Sequence, residues 1–206
     1  MRNHLKLKIK FTSNYKKHLS THLLQQLLIN NFYHQLLSLC RPLKMNQILD
    51  VGCGEGFTLN FICKNKVGKN CIGLDISTEA INLGRKIHPG IKLIKGNICK
   101  IPFKNNQFDL VICTEVLEHL PNPLIALKEI HRVTRKYYLL SVPNEPWFQL
   151  SNLLRAKNLF RWGNDIEHIN HWSKKNFLKI VATKTNKILN VKTPYPWIMV
   201  LVEKIG

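Results

Sequence analysis

The stretch Ile48-Leu49-Asp50-Val51-Gly52-Cys53-Gly54-Glu55-Gly56-Phe57 decides how the rest of the chain is read. A short apolar run leads into a glycine-rich turn, and helix-like residues 57–64 follow it. Glycines in such a turn leave the backbone bare for a ligand to approach, and the helix start offers N–H groups with no partner inside the helix. A dinucleotide-binding turn would read G-x-G-x-x-G. Gly52 and Gly54 fit that spacing, but Gly56 comes one residue early and Phe57 stands where the pattern needs glycine. Asp50, two residues before the first glycine, is a further mark of this turn.

Working outward, segments 47–51, 70–74, 91–94, 108–113 and 137–142 are short apolar runs that read as buried strands. Between them 57–64, 78–86 and 123–135 read as helices, the second with Ser77 as its N-cap and Ala80 three residues on. This alternation predicts a mostly parallel sheet with helices on both faces, which binds ligands beyond the carboxyl ends of its strands. Polar residues gather at those ends. Asp75 lies about 20 residues past the glycine turn, where an acid can accept both hydroxyls of a ribose. Asn97 and Ile98 follow the third strand, placed for the edge of an adenine, and Thr114-Glu115 follows the fourth.

Upstream, residues 20–40 carry Leu23, Leu24, Leu27, Leu28, Phe32, Leu36 and Leu37 at helical spacing, and Pro42 closes this amphipathic helix. Downstream of Val142 the rhythm breaks. Residues 143–172 hold Trp147, Phe148, Phe160, Trp162 and Trp172, aromatics suited to wall an apolar pocket or to meet a membrane interface. A helix near 173–183 and strands at 188–193 and 197–203 follow, joined across Pro194-Tyr195-Pro196.

A chain of 206 residues, 45% apolar, has the length of one domain with its own core. Runs such as 197–202 fall far short of the roughly 20 apolar residues that span a bilayer. The start, 1–10, alternates Leu, Ile and Lys without the apolar core of a signal peptide. A cytoplasmic location is therefore expected, with a helical segment at 1–44, a cofactor-binding core at 45–142 and a substrate-side cover with the last strands at 143–206. The six cysteines include no C-x-x-C pair and read as reduced, mostly structural thiols. Thirty-one Lys and Arg against twelve Asp and Glu give +19, and eight of those cations precede Asp50, the first acid. The charge points to an anionic partner such as RNA, a membrane surface or an acidic metabolite, or else follows a composition rich in Lys, Asn and Ile.

The D-x-G-x-G-x-G turn with Asp75 resembles that of the class I S-adenosylmethionine (SAM)-dependent methyltransferases, close to the type 11 group that includes ubiquinone-biosynthesis O-methyltransferases. The likeness covers about residues 45–144. It implies a Rossmann-like α/β fold, a seven-stranded, mostly parallel sheet whose last strand is antiparallel. It implies SAM as cofactor, with Gly52 and Gly54 along its methionine moiety and Asp50 on its amino group. Asp75 would hold the ribose, Ile76 would lie on the adenine, and Asn97 and Ile98 would meet the adenine edge. Cys53 and Thr114 complete the expected cofactor-binding set. Two departures stand out: Asn97 where relatives usually carry Asp, and Thr134-Arg135-Lys136 where they carry Pro-Gly-Gly.

Methyl transfer to a hydroxyl or amine calls for a base. In Glu115-Val116-Leu117-Glu118-His119 a helical turn would set Glu115, Glu118 and His119 on one face, with His119 as the catalytic base. With His168 or His171 added, the set resembles the divalent-metal site of small-RNA 2′-O-methyltransferases and of ubiquinone O-methyltransferases, although no metal is assigned here. Asn/Asp-Pro-Pro-Tyr/Phe is missing after the fourth strand, which argues against methylation of a base's exocyclic amine. The expected function is methyl transfer from SAM to a small, lipophilic acceptor at oxygen. An RNA or tRNA 2′-O-methyltransferase and a SAM-binding subunit without turnover are the alternatives. Peripheral membrane contact is a further expectation, and residues 2–17, basic with Phe11 and Tyr15, suit phosphates or a solvated helix face.

Overall fold

The computed structural model describes residues 13–145, 147–154 and 168–205. Seven strands form one sheet: β1 (Gln47–Val51), β2 (Asn70–Asp75), β3 (Lys92–Lys95), β4 (Phe108–Thr114), β5 (Thr134–Pro143), β6 (Asn186–Lys192) and β7 (Trp197–Lys204). Their order is β3-β2-β1-β4-β5-β7-β6. Strands β1 to β5 pair in parallel, and β7 runs antiparallel between β5 and β6. The predicted Rossmann-like sheet with its reversed last strand is thus the observed one. From β1 the chain winds outward through β2 to β3, then returns to lay β4 on the other side of β1. The carboxyl ends of β1 and β4 therefore flank the switch in strand order, where such sheets open a crevice.

Side chains alternate across a strand, so each strand feeds two cores. Leu49, Val51, Val111, Cys113, Leu140, Val142, Ile198 and Val200 face α5 (Pro123–Val133) and α7 (Lys174–Val181). Ile48, Leu110, Ile112, Leu139, Met199 and Leu201 face α2 (Leu23–Cys40) and α3 (Phe57–Lys64). Burial on both faces is why the strands read as continuous apolar runs. Asp50 shares its pleat with Ile48, so its carboxylate projects on the α2–α3 side.

The helices follow their local signals. Ser77 Oγ accepts from the Ala80 amide at 3.1 Å and caps α4 (Thr78–Ile87), as expected. Pro123 opens α5, where its missing N–H costs nothing. That helix stops at Val133, two residues before the predicted end, because the Thr134 hydroxyl donates to Ile130 O at 2.7 Å and the chain turns directly into β5. At the opposite edge of the sheet from the crevice, buried Asp109 accepts from the Asn46 and Gln47 amides at 2.9 and 3.1 Å and from Arg135, tying β1, β4 and β5 together. Its burial pushes its pKa up, but those donors together hold it below the usual aspartate value.

The aromatic segment behaves differently from the expectation. Phe148, on α6 (Trp147–Leu154), faces the crevice, whereas Trp147 is exposed and Trp172 is buried in the α5–α7 core against Phe177. Trp172 is recruited there because α7 starts right behind it. Phe160, Trp162 and residues 1–12 lie outside the described residues.

Candidate active site at the end of the β1 and β4 strands

The glycine turn is shaped by its neighbours. Gly52 (φ +72°) and Gly54 (φ +53°) take left-handed backbone conformations that favour glycine. A Cβ on Gly52 would lie 2.3 Å from a Val116 methyl, so this glycine also lets the turn after β4 come close. The amides of Gly52 and Cys53 both donate to Leu74 O, at 2.7 and 3.1 Å. Asp75, at the end of β2, accepts from the Gly54 amide with Oδ2 and from the Ser77 amide with Oδ1, each at 2.8 Å. Asp75 thus splints the glycine turn to the entry of α4.

Asp50 is 1% exposed, and its Oδ2 has no hydrogen-bond partner among the described residues. Burial first, then the charge of Asp75 and the Cys63 thiol, push its pKa up, against a hydrogen bond from the Leu59 amide. An orphaned buried carboxylate is costly. Here it borders a cavity of about 910 Å³ lined by Asp50, Gly52, Cys53, Gly54, Thr114 and His119, all expected site residues. An incoming ammonium would satisfy it.

The remaining expected residues, Asp75, Ile76, Asn97 and Ile98, are not in its lining. Ile76 is 67% exposed on the surface past β2. Asn97 is exposed and its Oδ1 accepts from the Cys99 amide at 2.8 Å. Ile98 is buried in the α5–α7 core beside Leu74 and Ile101.

The turn after β4 is not the single helical face that spacing suggested. Glu115 adopts φ +59°, which breaks any helix before it begins, and only Leu117–His119 form a 3₁₀ turn. Glu115 swings toward the sheet, where its carboxylate accepts from Ser141 Oγ at 3.1 Å and from the Trp197 indole. Glu118, fully buried, and His119 instead meet His168. One ligand atom from each of the three lies within 4.8 Å of the others, and the two imidazole rings are 5.1 Å apart. His168 is brought there by its own backbone: the Ile169 and Asn170 amides donate to Glu118 O at 2.8 and 3.0 Å, and Asn170 Nδ2 donates to Leu120 O at 2.7 Å. His171 faces elsewhere, exposed, with Nδ1 3.8 Å from Glu145.

The other wall of the cavity went unread in the sequence. It consists of Asn14 and His18 from α1 (Ser13–His18), Leu24, Leu28, Ile29, Phe32 and Tyr33 from α2, and Trp197 from β7. Asn14 Nδ2 donates to Glu55 Oε2 at 2.6 Å, and the His18 ring stacks on Phe57 with centroids 4.2 Å apart. These contacts close α1 over the glycine turn. The only sequence signal was the aromatic residue at position 57 in place of glycine, which creates the platform for His18. Cys53, also in the lining, is a buried thiol whose pKa is raised by desolvation and by the acids around it, so it stays protonated.

Residues 49–139 match the family described as "Methyltransferase domain", type 11. A phthiotriol/phenolphthiotriol dimycocerosates methyltransferase of Mycobacterium leprae is 32% identical over 107 residues, covering 51% of this chain and 39% of that protein. A fatty-acid O-methyltransferase of Mycolicibacterium smegmatis is 28% identical over 113 residues, covering 53% of this chain and 41% of that protein. The chain spans about two fifths of the length of these curated relatives. Among solved structures, the magnesium protoporphyrin IX methyltransferase of Synechocystis, crystallised with bound S-adenosylhomocysteine (SAH), superposes with a TM-score of 0.67 at 16% identity, covering 90% of this chain and 89% of that one. The strand order with its reversed β7, the glycine turn after β1 and these matches agree, and residues 49–139 form a methyltransferase domain of the class I SAM-dependent kind.

Proposed function

We propose that this chain transfers a methyl group from SAM to oxygen on a small, apolar acceptor. The observation that carries this reading is the cavity itself, apolar along Leu24, Leu28, Ile29, Phe32, Phe148 and Trp197 and acidic where Asp50, Glu115 and Glu118 meet it. A chain of charge +19 that sets three of its twelve acids around one cavity favours a cationic cofactor there and disfavours a phosphate-rich acceptor. The lipid-directed names of two relatives agree with the apolar wall.

Bound in this cavity, the cofactor supplies a methyl group on a sulfonium, already activated for in-line displacement. The chain then has to hold, orient and deprotonate. Asp50 receives the amino group and Gly52 and Gly54 let the methionine moiety lie against the backbone. Asp75 and Ile76 would serve the ribose and adenine, with Asn97 and Ile98 for the adenine's edge, and Cys53 and Thr114 would complete the set that holds the cofactor. Phe148, Phe32 and Trp197 hold the acceptor. Such positioning supplies roughly 7–11 kcal/mol of a displacement barrier. An imidazole nitrogen of His119 takes the hydroxyl proton, with Glu118 and His168 beside it to stabilise the imidazolium.

The test is transfer from methyl-labelled SAM into a fractionated cell extract. Label is expected in the organic-soluble fraction, and His119→Ala should lower turnover by about 10²–10⁴-fold while SAH binding stays unchanged. Label in RNA would replace this reading with 2′-O-methylation of RNA. Tight cofactor binding with label in no fraction would indicate a subunit without turnover.

The cluster of Glu118, His119 and His168 favours a second reading, in which it holds a divalent cation. One carboxylate and two imidazoles suit such an ion, which would lower the pKa of an acceptor hydroxyl. Under this reading a chelator abolishes turnover and added Mg²⁺ or Mn²⁺ restores it. Under the His119-base reading a chelator changes nothing.

A further inference from the structure

The first half of α2 presents its leucines to solvent instead of to the core. Leu23 is 70% exposed and Leu24 and Leu27 are each 56% exposed, at spacings that place them side by side on the helix, and Leu19 just before it is 57% exposed. The buried residues of the same helix, Phe32, Leu36, Leu39 and Cys40, all lie in its second half. Across the cavity, α6 does the same: Phe148 and Asn152 line the cavity while Trp147 and Leu150 are 51% and 42% exposed. Single exposed leucines are ordinary, but runs of them beside a cavity mark an interaction surface.

Leu24 links the two. It is exposed and also lines the cavity, so the apolar strip runs from the protein's outside into the acceptor wall without a polar break at that residue. The stretch of chain that leads into this strip carries charge of one sign. Neither α1 nor α2 holds an acid, Lys16 and Lys17 sit on α1, and residues 1–49 contain eight Lys and Arg before the first carboxylate.

We propose that the exposed leucines of α2, with Trp147 and Leu150 of α6, dock this protein on an anionic lipid surface, from which the acceptor enters the cavity past Leu24. The proposal rests on the apolar-acceptor reading and names the source of that acceptor. Leucines without flanking charge would serve a neutral partner equally well. Leucines that follow a segment with cations and no acid, in a chain of +19, fit a surface that is apolar below and negative above. The attraction is felt only within about 10 Å at 0.1 M salt, so it acts on segments that touch the surface.

The test is co-sedimentation of the full chain with vesicles of phosphatidylcholine alone and of phosphatidylcholine mixed with phosphatidylglycerol. Binding is expected to the mixed vesicles, to be weak with phosphatidylcholine alone, and to fall as salt is raised. The double variant Leu23→Gln/Leu27→Gln touches neither the core nor the cavity lining and should weaken vesicle binding about tenfold or more. Its SAH binding should match the parent's, which shows that it folds. Vesicle binding equal in parent and double variant, equal on both lipid mixtures, or absent from the parent overturns the proposal. Label transfer in detergent keeps the two readings apart. A parent that methylates an organic-soluble acceptor but ignores vesicles refutes docking alone. A parent that binds vesicles through these leucines but labels only RNA leaves the docking surface standing and removes the apolar acceptor.

Discussion

The two walls of the cavity are built in opposite ways. The sheet-end wall is held by backbone: left-handed glycines, two amides on Leu74 O and an aspartate that grips both ends of the turn. The helical wall is held by side chains, with the hydrogen bond from Asn14 to Glu55 and the rings of His18 and Tyr15 against Phe57 joining α1 to the turn. Backbone-held geometry permits few substitutions and suits a ligand that does not change. Side-chain-held geometry can be recut for a new acceptor without disturbing the sheet. The difference predicts that substitutions in the first wall abolish cofactor binding, while those in the second change substrate use and little else.

The largest effect is expected at Asp75. Asp75→Ala removes the acceptor for two amides and the carboxylate placed for the ribose, so SAH affinity should fall by at least about 100-fold. Because the Gly54 amide loses its partner as well, thermal stability should fall with it, by about 1–3 kcal/mol. Calorimetric titration and a melting curve read the two. A variant that binds SAH like its parent would remove the ribose assignment, and one that loses binding at undiminished stability would show that the splint is dispensable.

Asp50→Asn separates binding from folding. The variant should bind SAH roughly 10–100-fold more weakly, for want of a charge opposite the amino group. Yet the unliganded protein should become more stable at neutral pH. The folded pKa of Asp50 lies above its unfolded value, so the folded state favours the proton. The stability that the Asp50 carboxyl contributes is fully present below the ordinary aspartate value of about 3.9 and is lost as pH rises through the folded pKa. The stabilisation of Asp50→Asn over its parent should therefore open as pH rises above about 4 and vanish below it. A parent as stable as the variant at pH 7 would mean that Asp50 has a partner in solution, and the cationic-ligand argument would lose its footing.

On the other wall, Phe148→Ala should raise KM for the acceptor about tenfold, the loss of one aromatic contact, and leave SAH affinity within about twofold. A fall in SAH affinity as large as that of Asp50→Asn would erase the distinction between the walls.

The same division explains what could be read in the sequence. Strands buried on both faces are written as unbroken apolar runs, so β1, β4 and β7 were legible to within a residue at each end. The glycine turn was legible because its conformation demands particular residues. The turn after β4 was misread because Glu115, a residue with no aversion to helices, is held at φ +59° by bonds to Ser141 and Trp197, 26 and 82 residues away in the chain. His168 reaches the site through backbone hydrogen bonds to Glu118, a register that periodicity does not encode. In α2 the leucine spacing announced an amphipathic helix correctly, but only packing decides that its second half is buried and its first half exposed. Long-range contacts, not local propensity, shape the acceptor wall.

The smallest expected effect lies at the seam between the walls. Asn14→Ala removes the 2.6 Å hydrogen bond to Glu55, whose buried carboxylate retains other contacts, and should cost about 1 kcal/mol of stability. The consequence for the ligand is kinetic. The Asn14 amide stands 3.1 Å from where a Cβ on Gly54 would be, so it covers the face of the turn along which the methionine moiety would lie. Without it α1 remains tied by the rings of His18 and Tyr15 against Phe57, and SAH should leave several-fold faster while its association rate is unchanged, because the sheet-end wall that receives the ligand is untouched. Stopped-flow displacement reads this directly. An equal slowing of association would mean that α1 helps to form the turn instead of covering it, and the seam would then belong to the backbone-held wall.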